Sequence, residues 1–244
     1  MSGLGKTFIS RNLTKTDNWS HYSVDYEIGQ LLFKDNHANL LKGFDIDNLA
    51  HLSNFLGKPG SSTMGGIPFS EYVSRQRLHR DAEIKATLKA CSLVEKSPEL
   101  SHFICDTSGS ICELVNPSDK NDQLLSSISR NFLIVCLEAP DSIYQVLIDR
   151  FLAKPKPMYY EENFLNSLWH SFKSDRSNTD DKINPDDFMV FGFKALIERR
   201  KAIFERISKN WGITLNFELL RCINDATDLI EAIKLKIESE IENP

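Results

Sequence analysis

The chain has 244 residues, of which 41 % are apolar or aromatic and 26 % are charged, a composition typical of globular domains rather than of disordered chains. Its net charge of −5 gives no general attraction to nucleic acid, and we expect no nucleic-acid partner. We expect no membrane partner either, because no apolar run approaches the roughly 20 residues that span a bilayer. Five cysteines without a C-x-x-C pair indicate neither a disulfide framework nor a zinc site. Together with the lack of a secretion signal, these features predict a cytoplasmic protein and leave its oligomeric state open.

Apolar runs that resemble strands alternate with amphipathic helical stretches along the chain. The predicted strands are 20–25, 101–106, 131–137 and 212–217, and the predicted helices are 69–94, 141–152, 186–209 and 224–237. The second and third strands, which contain FICD and FLIVCL, are continuously apolar, as is typical of parallel strands covered on both faces. The alternation predicts an α/β fold with a mostly parallel sheet, formed by a single domain over residues 1–244.

Two stretches interrupt this alternation. Residues 56–68 (LGKPGSSTMGGIP) are rich in Gly, Ser and Pro, which predicts a mobile loop rather than a domain linker. Residues 153–184 combine a Lys- and Pro-rich start, a short helix and a polar run. We interpret this second stretch as a helical lid or insertion on the main domain.

The sharpest functional signal lies at the N-terminus and consists of Ser2, Gly3, Leu4, Gly5, Lys6 and Thr7. It matches the end of the phosphate-binding loop G-x-x-x-x-G-K-[ST], in which glycines let backbone N–H groups converge on phosphate oxygens. In such a loop the lysine neutralises the β- and γ-phosphates and the hydroxyl binds Mg²⁺, so these roles fall to Lys6 and Thr7. The alternative is a chance match in a flexible N-terminus.

The first glycine of that motif, and the strand that should precede the loop, do not occur in the sequence. In this architecture the strand lies in the middle of the sheet, and the loss of about five buried residues would remove roughly 8–15 kcal/mol. We therefore expect the native protein to carry about ten more residues upstream, ending in an apolar strand and a glycine.

Two carboxylates each end a predicted strand, namely Asp25 and Asp106. Ligands of open α/β sheets gather at the carboxyl ends of the strands. We expect Asp106 to hold Mg²⁺ and Asp25 to align the hydroxyl of an acceptor, although the two roles could be exchanged. The alternative for each residue is that it caps the helix that follows.

Basic side chains on two predicted helices complete the candidate site. Arg77 and Arg80 share a helix face and could bind an anionic acceptor, or they could form a solvated helix face. Arg150, with Lys154 and Lys156, lies where a lid can bring positive charge onto a transferring phosphoryl group. The alternative is a basic last turn favoured by the helix dipole.

With these residues placed, the chain resembles the shikimate-kinase and nucleoside-monophosphate-kinase branch of the P-loop proteins. Residues 3–7 are similar to the end of that family's loop, and residues 21–29 to its second strand, whose aspartate meets the acceptor's hydroxyls and corresponds to Asp25. The helix with Arg77 and Arg80 lies where the family keeps a substrate-binding arginine. The resemblance implies a three-layer αβα fold and Mg-ATP as phosphoryl donor.

The C-terminal half extends the resemblance. Residues 135–137, followed by Arg150 and residues 154–157, are similar to the family's strand, helix and basic lid. Two features depart from shikimate kinases: DTSGS at 106–110 replaces their glycine triplet, and the insertion at 153–184 exceeds their lid. Shikimate is therefore not the acceptor that the sequence predicts.

A second resemblance covers nearly the whole chain and joins it to bacterial proteins described only as ATPases. The similar segments are 19–29, 56–60, 75–83 and 156–160. This resemblance implies nucleotide binding and supplies no substrate.

These observations predict a P-loop ATPase or small-molecule kinase that transfers the γ-phosphoryl group of Mg-ATP to an unknown acceptor. Lys6, Asp25 and Arg150 are the predicted catalytic residues. Two alternatives stay open, a nucleotide-gated regulatory protein with slow ATP hydrolysis and an N-terminally truncated, inactive chain. The sequence does not distinguish ATP from GTP.

Overall fold

Helices make up most of the part of the chain that the computed structural model describes, which comprises residues 6–14, 19–34, 50–97, 102–174, 179–220, 222–223 and 225–242. The helices are α1 (Lys6–Leu13), α2 (Val24–Lys34), α3 (Ala50–Leu56), α4 (Phe69–Lys96), α5 (Gln123–Asn131), α6 (Asp141–Ala153), α7 (Glu162–Ser174), α8 (Pro185–Trp211), α9 (Phe217–Leu220) and α10 (Ala226–Glu242). The strands are β1 (Trp19–Ser23), β2 (His102–Asp106), β3 (Ile134–Glu138) and β4 (Gly212–Asn216). Within these ranges, no helix is both long enough and apolar enough to cross a membrane.

The four strands form two small parallel sheets. Strand β1 pairs with β2, with Ser23 opposite Asp106. Strand β3 pairs with β4, with Ile134 opposite Gly212. Among the described residues each strand has one partner strand, so the prediction of a mixed α/β chain with parallel strands is confirmed, whereas the sheet predicted as continuous is seen as two pairs.

The chain divides into two compact units. The first comprises residues 1–24, 87–146 and 201–244, and the second comprises 25–86 and 147–200. All four strands belong to the first unit, and the described elements of the second are helical. The sequence predicts one domain with an insertion at 153–184; in the structure this segment belongs to the second unit together with 25–86.

In the first unit, helices cover the strands with two apolar clusters. One cluster contains Ile9 of α1 and Leu229 of α10, and Val135 of β3 packs against it. The other contains Leu125 of α5, and Cys136 of β3 packs against that one. Because successive side chains of a strand point to opposite faces, β3 has helices on both faces, as its continuously apolar sequence predicts.

The second unit has an aromatic core. The Trp169 ring of α7 stacks on Phe69 at a centroid distance of 4.5 Å and meets Phe188 of α8 edge-on at 4.9 Å. Phe172 of α7 lies edge-on to the same Phe188 ring at 5.4 Å. These contacts hold α7 against the start of α4 and the first turns of α8.

The Gly- and Pro-rich segment predicted as a mobile loop is a hydrogen-bonded turn. The Gly60 N–H donates to the Ile67 carbonyl at 3.0 Å, and the Ser61 N–H donates to the Ile183 carbonyl at 2.8 Å. Gly60 has a φ of 144°, and a Cβ there would lie 2.7 Å from the Ile183 oxygen. Glycine is therefore used at this position for close backbone approach.

Candidate functional site

The first unit contains a cavity of about 550 Å³, a volume in the range of small-molecule sites. Residues 103–106 of β2 and 134–138 of β3 line it, together with helices α1, α5, α8 and α10. Most of the lining side chains are apolar. Such a cavity can take an apolar group in its body, and its polar chemistry depends on the residues at the strand ends.

Polar residues meet this cavity where β2 and β3 end. Asp106 and Glu138 are the last residues of these strands, and both line the cavity. Lys6, the first residue of α1, also lines it. Strand carboxyl ends and a helix N-terminus are where α/β proteins bind anionic ligands. The structure thus brings two predicted residues, Lys6 and Asp106, to one cavity and adds Glu138, which the sequence analysis missed.

The segment after Asp106 is shaped by its own hydroxyl groups. The Oγ atoms of Ser108 and Ser110 lie 2.7 Å apart, and the Ser110 N–H donates to Ser108 Oγ at 3.3 Å. Both serines are buried. These bonds fix the turn that carries the cavity-lining residues Thr107 and Gly109.

The sequence analysis also missed a cluster of charged and aromatic side chains at the cavity. Lys201 of α8 donates a hydrogen bond from Nζ to Asp141 Oδ1 at 2.9 Å, and the same Nζ lies 5.3 Å from the Tyr144 ring centroid. Lys201 and Tyr144 both line the cavity. Burial raises the pKa of the Tyr144 hydroxyl above its ordinary value. This contact spans 60 residues of sequence, so periodicity within one helix gives no signal for it.

Two cysteines form part of the strand walls. Burial raises the pKa of the Cys105 thiol to about 12 and that of the Cys136 thiol to about 11. Since the thiolate is the reactive form, both side chains are protonated at neutral pH. They act as apolar wall residues rather than as nucleophiles.

Part of the predicted phosphate loop lies outside the described residues. This applies to Ser2, Gly3, Leu4 and Gly5, and for Thr7 the described structure covers the backbone of α1 but not the side chain. Of the predicted Mg²⁺ ligands, the structure therefore places the carboxylate of Asp106.

Asp25 belongs to the second unit and does not end a strand. The strand predicted at 20–25 ends at Ser23, and α2 begins at Val24. Asp25 thus lies in the first turn of α2, where its negative charge interacts favourably with the helix dipole. The predicted strand end was two residues too late because α2 follows β1 without a connecting loop.

The three predicted arginines also belong to the second unit. The Arg77 guanidinium donates from Nε to Glu162 Oε2 at 2.8 Å, and from Nη2 to the other carboxylate oxygen. These hydrogen bonds lower the pKa of Glu162. Arg80 contacts its neighbour Asp81 at 3.2 Å, and Arg150 lies exposed in the last turn of α6.

Two segments on which the resemblance to bacterial ATPases rests, 75–83 and 156–160, contact each other in the second unit. Gln76 donates from Nε2 to the Met158 carbonyl at 3.1 Å and accepts from the Tyr160 N–H at 3.0 Å. Arg200 of α8 donates to the Tyr159 carbonyl at 2.8 Å. These bonds hold residues 158–160 between α4 and α8. In the two segments, Gln76 and residues 158–160 therefore have a packing and hydrogen-bonding role.

The cavity offers a carboxylate that could bind Mg²⁺, that of Asp106. Within the described ranges, no group of three or more His, Cys, Asp or Glu side chains is arranged as a metal site. In phosphoryl-transfer sites, however, Mg²⁺ is held by one or two carboxylates together with phosphate oxygens and water. Asp106 offers such a carboxylate at a strand end.

Comparison with known proteins gave no match: no family model, no curated protein and no solved structure matches the chain. The proposed function therefore depends on the residues described above.

Proposed function

We propose that this protein binds Mg-ATP at the strand-end part of the cavity in its first unit and is an ATPase or a small-molecule kinase. One observation carries the proposal. Lys6, which follows Gly3-Leu4-Gly5 in the sequence, begins α1 and lines the same cavity as Asp106 at the end of β2. A lysine at a helix N-terminus, in the same cavity as a carboxylate that can bind Mg²⁺, is the charge arrangement that a nucleoside triphosphate requires.

Each group has a distinct part in this proposal. The Lys6 ammonium neutralises charge on the β- and γ-phosphates, while the Thr7 hydroxyl and the Asp106 carboxylate hold Mg²⁺. The metal ion, when bound, neutralises charge that develops on the transferred phosphoryl group.

We also propose a three-layer αβα fold for the first unit, and its packing supports this fold. Ile104 of β2 and Val135 of β3 pack against the same apolar cluster, which includes Ile9 of α1. Cys136 of β3 packs on the opposite cluster, with residues of α5 and α8. Strands from both pairs would then share one central layer between two layers of helices.

Acceptor binding is proposed for Asp25, Arg77 and Arg80. Arg77 and Arg80 lie on α4, and Asp25 lies in the first turn of α2. An acceptor with an anionic group would compete with Glu162 for the guanidinium of Arg77. Arg150 lies exposed in the last turn of α6, and the resemblance implies that it is a cation of the lid.

Mg-ATP binding, measured by calorimetry on Lys6→Ala and on a matched control, tests the proposal. Removal of one charged hydrogen-bond donor costs about 1.5–3 kcal/mol, so Lys6→Ala should weaken binding roughly 10- to 100-fold. Lys234→Ala, which removes an exposed lysine from α10, should leave binding unchanged. The titrations are made on residues 1–244.

Two results would contradict nucleotide binding at this site. The first is equal affinity of Lys6→Ala and the parent chain, and the second is no binding by the parent chain. Once binding is established, ATP turnover that is stimulated by an anionic hydroxyl compound would favour the kinase, and unstimulated turnover would favour the ATPase.

A further inference from the structure

The cavity of the first unit contains few cations. Among the described residues that line it, two are basic, Lys6 and Lys201, and three are acidic, Asp106, Glu138 and Glu205. Because the charges of Lys6 and Asp106 cancel, bound Mg²⁺ would be the net positive charge that this pair presents to a triphosphate. A triphosphate carries more negative charge than one Mg²⁺ neutralises. An anionic ligand in this cavity therefore depends on a second cation, and Lys201 is the described lining residue that can supply it.

The position of Lys201 follows from the way α8 leads into β4. Helix α8 ends at Trp211, and β4 begins at the next residue, Gly212, which lies opposite Ile134, the first residue of β3. At roughly 1.5 Å per residue, Lys201 lies about 16 Å back along the helix from Gly212. Strand β3 has five residues and, at roughly 3.3 Å per residue, is also about 16 Å long. Lys201 thus lies level with the carboxyl end of β3, the end at which α/β proteins bind ligands.

The contacts of Lys201 agree with that position. Its Nζ donates to Asp141 Oδ1 at 2.9 Å, and Asp141 begins α6 directly after the end of β3 and a short connection. The same Nζ lies 5.3 Å from the Tyr144 ring centroid. Burial raises the pKa of the Tyr144 hydroxyl, and the charge of Lys201 opposes this shift. The carboxylates of Glu138 and Glu205 add to it, so Lys201 and both carboxylates lie near one hydroxyl group at the strand end.

The ion pair with Asp141 holds the Lys201 ammonium group weakly. The Asp141 side chain is 90 % exposed, and that of Lys201 is 39 % exposed. Ion pairs between such side chains contribute little, because water and salt screen the two charges. A ligand with several negative charges can therefore take the ammonium group from Asp141, and the flexible lysine stem allows the displacement.

We propose that Lys201 is a second phosphate-binding residue of the cavity and that the phosphate chain of the nucleotide binds between the ammonium groups of Lys6 and Lys201. This inference rests on the proposed nucleotide binding. It adds a cation that the phosphate-loop motif does not contain.

Calorimetry with Mg-ATP and with inorganic tripolyphosphate in the presence of Mg²⁺ tests this assignment. Lys201→Gln keeps most of the aliphatic stem and a donor for Asp141 but removes the charge, and it should weaken the binding of both ligands about tenfold or more. Lys201→Arg keeps the charge and should bind both within about threefold of the parent chain. Lys209→Gln is the matched control, because it removes an exposed lysine from the last turn of the same helix. It lies about 12 Å along the helix from position 201 and should leave both affinities unchanged.

Asp141→Asn separates phosphate binding from a purely structural role of Lys201. If Lys201 served only to hold Asp141, Asp141→Asn and Lys201→Gln would disrupt the same ion pair and would act in the same direction. If Lys201 binds phosphate, Asp141→Asn releases the ammonium group. This variant should then bind both ligands at least as tightly as the parent chain does, and by up to about fivefold more tightly.

Four results would overturn the assignment. They are equal affinities of Lys201→Gln and Lys209→Gln, an equal loss in Lys201→Arg and Lys201→Gln, weaker binding by Asp141→Asn, and a loss for Mg-ATP alone, which would indicate contact with the base or the ribose. In each case nucleotide binding at the cavity stands as long as Lys6→Ala weakens Mg-ATP binding. If the parent chain does not bind Mg-ATP, or if Lys6→Ala binds it as the parent does, the proposed function fails and the assignment of Lys201 fails with it.

Discussion

At the scale of single residues, Gln76 joins helix α4 to residues that lie more than 80 positions after Gln76 in the sequence. Its amide donates to the Met158 carbonyl and accepts from the Tyr160 N–H. The side chain is only 2 % exposed, so water cannot replace these bonds. The Tyr72 hydroxyl gives Met158 a second donor at 2.7 Å, whereas Tyr160 has Gln76 as the acceptor described for its N–H.

We expect Gln76→Leu to lower the free energy of unfolding by about 1–3 kcal/mol, because it keeps the side-chain volume and leaves a buried N–H group without its acceptor. Urea denaturation followed by circular dichroism measures the change. Gln123→Leu, the same substitution at the exposed first residue of α5, should change the free energy by no more than about 0.5 kcal/mol. Equal effects of the two substitutions would show that the bonds of Gln76 contribute nothing specific.

The sequence predicted which helix or strand a residue belongs to, but it did not predict side-chain contacts between residues that are distant in the chain. It predicted Arg77 on a helix, yet the Glu162 carboxylate that binds Arg77 lies 85 residues later. Lys6 and Asp106 were predicted to meet because strand carboxyl ends and helix N-termini follow a general rule of α/β folds. No comparable rule connects Lys201 with Asp141 and Tyr144.

At the scale of elements, Gly192 allows α8 to approach the segment before α7. A Cβ at this position would lie 2.7 Å from the Tyr160 hydroxyl oxygen and 3.2 Å from its Cζ. Tyr160 is fully buried, so its ring has little room to move. The glycine therefore provides space inside a helix, where alanine would otherwise be favoured by about 1 kcal/mol.

A double-mutant cycle tests this close approach. Gly192→Ala alone should destabilise the protein by roughly 1–3 kcal/mol, since overpacking outweighs the gain in helix propensity. In a Tyr160→Phe background the same substitution should cost less, because the nearest atom has been removed. A coupling free energy above about 0.5 kcal/mol, obtained from four urea denaturation curves, is the expected result. Strict additivity of the two substitutions would contradict the contact.

Helices were predicted more accurately than loops and strand ends, for a physical reason. The prediction of 186–209 agrees with α8, observed at Pro185–Trp211, because apolar periodicity and a proline in the first turn are local signals. The segment at 57–68 takes its shape from a hydrogen bond to Ile183, more than 100 residues away. A Gly-rich composition indicates a turn but does not show what the turn packs against.

At the scale of the whole molecule, the division into two units gives no signal in the amino-acid composition along the chain. The chain passes from one unit to the other at 24–25, 86–87, 146–147 and 200–201. All four passages fall inside helices, namely α2, α4, α6 and α8. Domain boundaries are usually recognised by Pro-, Gly- or Ser-rich linkers, and a boundary inside a helix has none. The predicted insertion at 153–184 therefore captured only part of the second unit.

The stability of the whole chain should depend on pH through one buried histidine. His79 is 3 % exposed, and its ring stacks on Tyr159 at a centroid distance of 5.0 Å. Burial, assisted by the positive charge of Arg200, lowers its pKa from 6.5 to about 4. The Glu83 carboxylate, 3.6 Å from Nδ1, is the nearby group that would oppose this shift.

The pKa shift fixes the sign of the pH dependence. In the unfolded chain His79 takes up a proton below about pH 6.5, whereas in the folded chain it stays neutral until about pH 4. Between these values unfolding binds one proton, so the free energy of unfolding falls as the pH falls, by about 1.4 kcal/mol per pH unit. The contribution is complete above pH 6.5 and amounts to a loss of about 2 kcal/mol at pH 5.

His79→Phe separates this contribution from the titration of the acidic residues, because it retains an aromatic ring against Tyr159 and removes the ionisable group. We expect the difference in unfolding free energy between parent and variant to change by about 2 kcal/mol between pH 8 and pH 5, in the direction that favours the variant in acid. Urea denaturation at half-unit pH intervals measures it. Parallel curves, or a parent chain that gains on the variant in acid, would mean that Glu83 holds His79 protonated in the folded state.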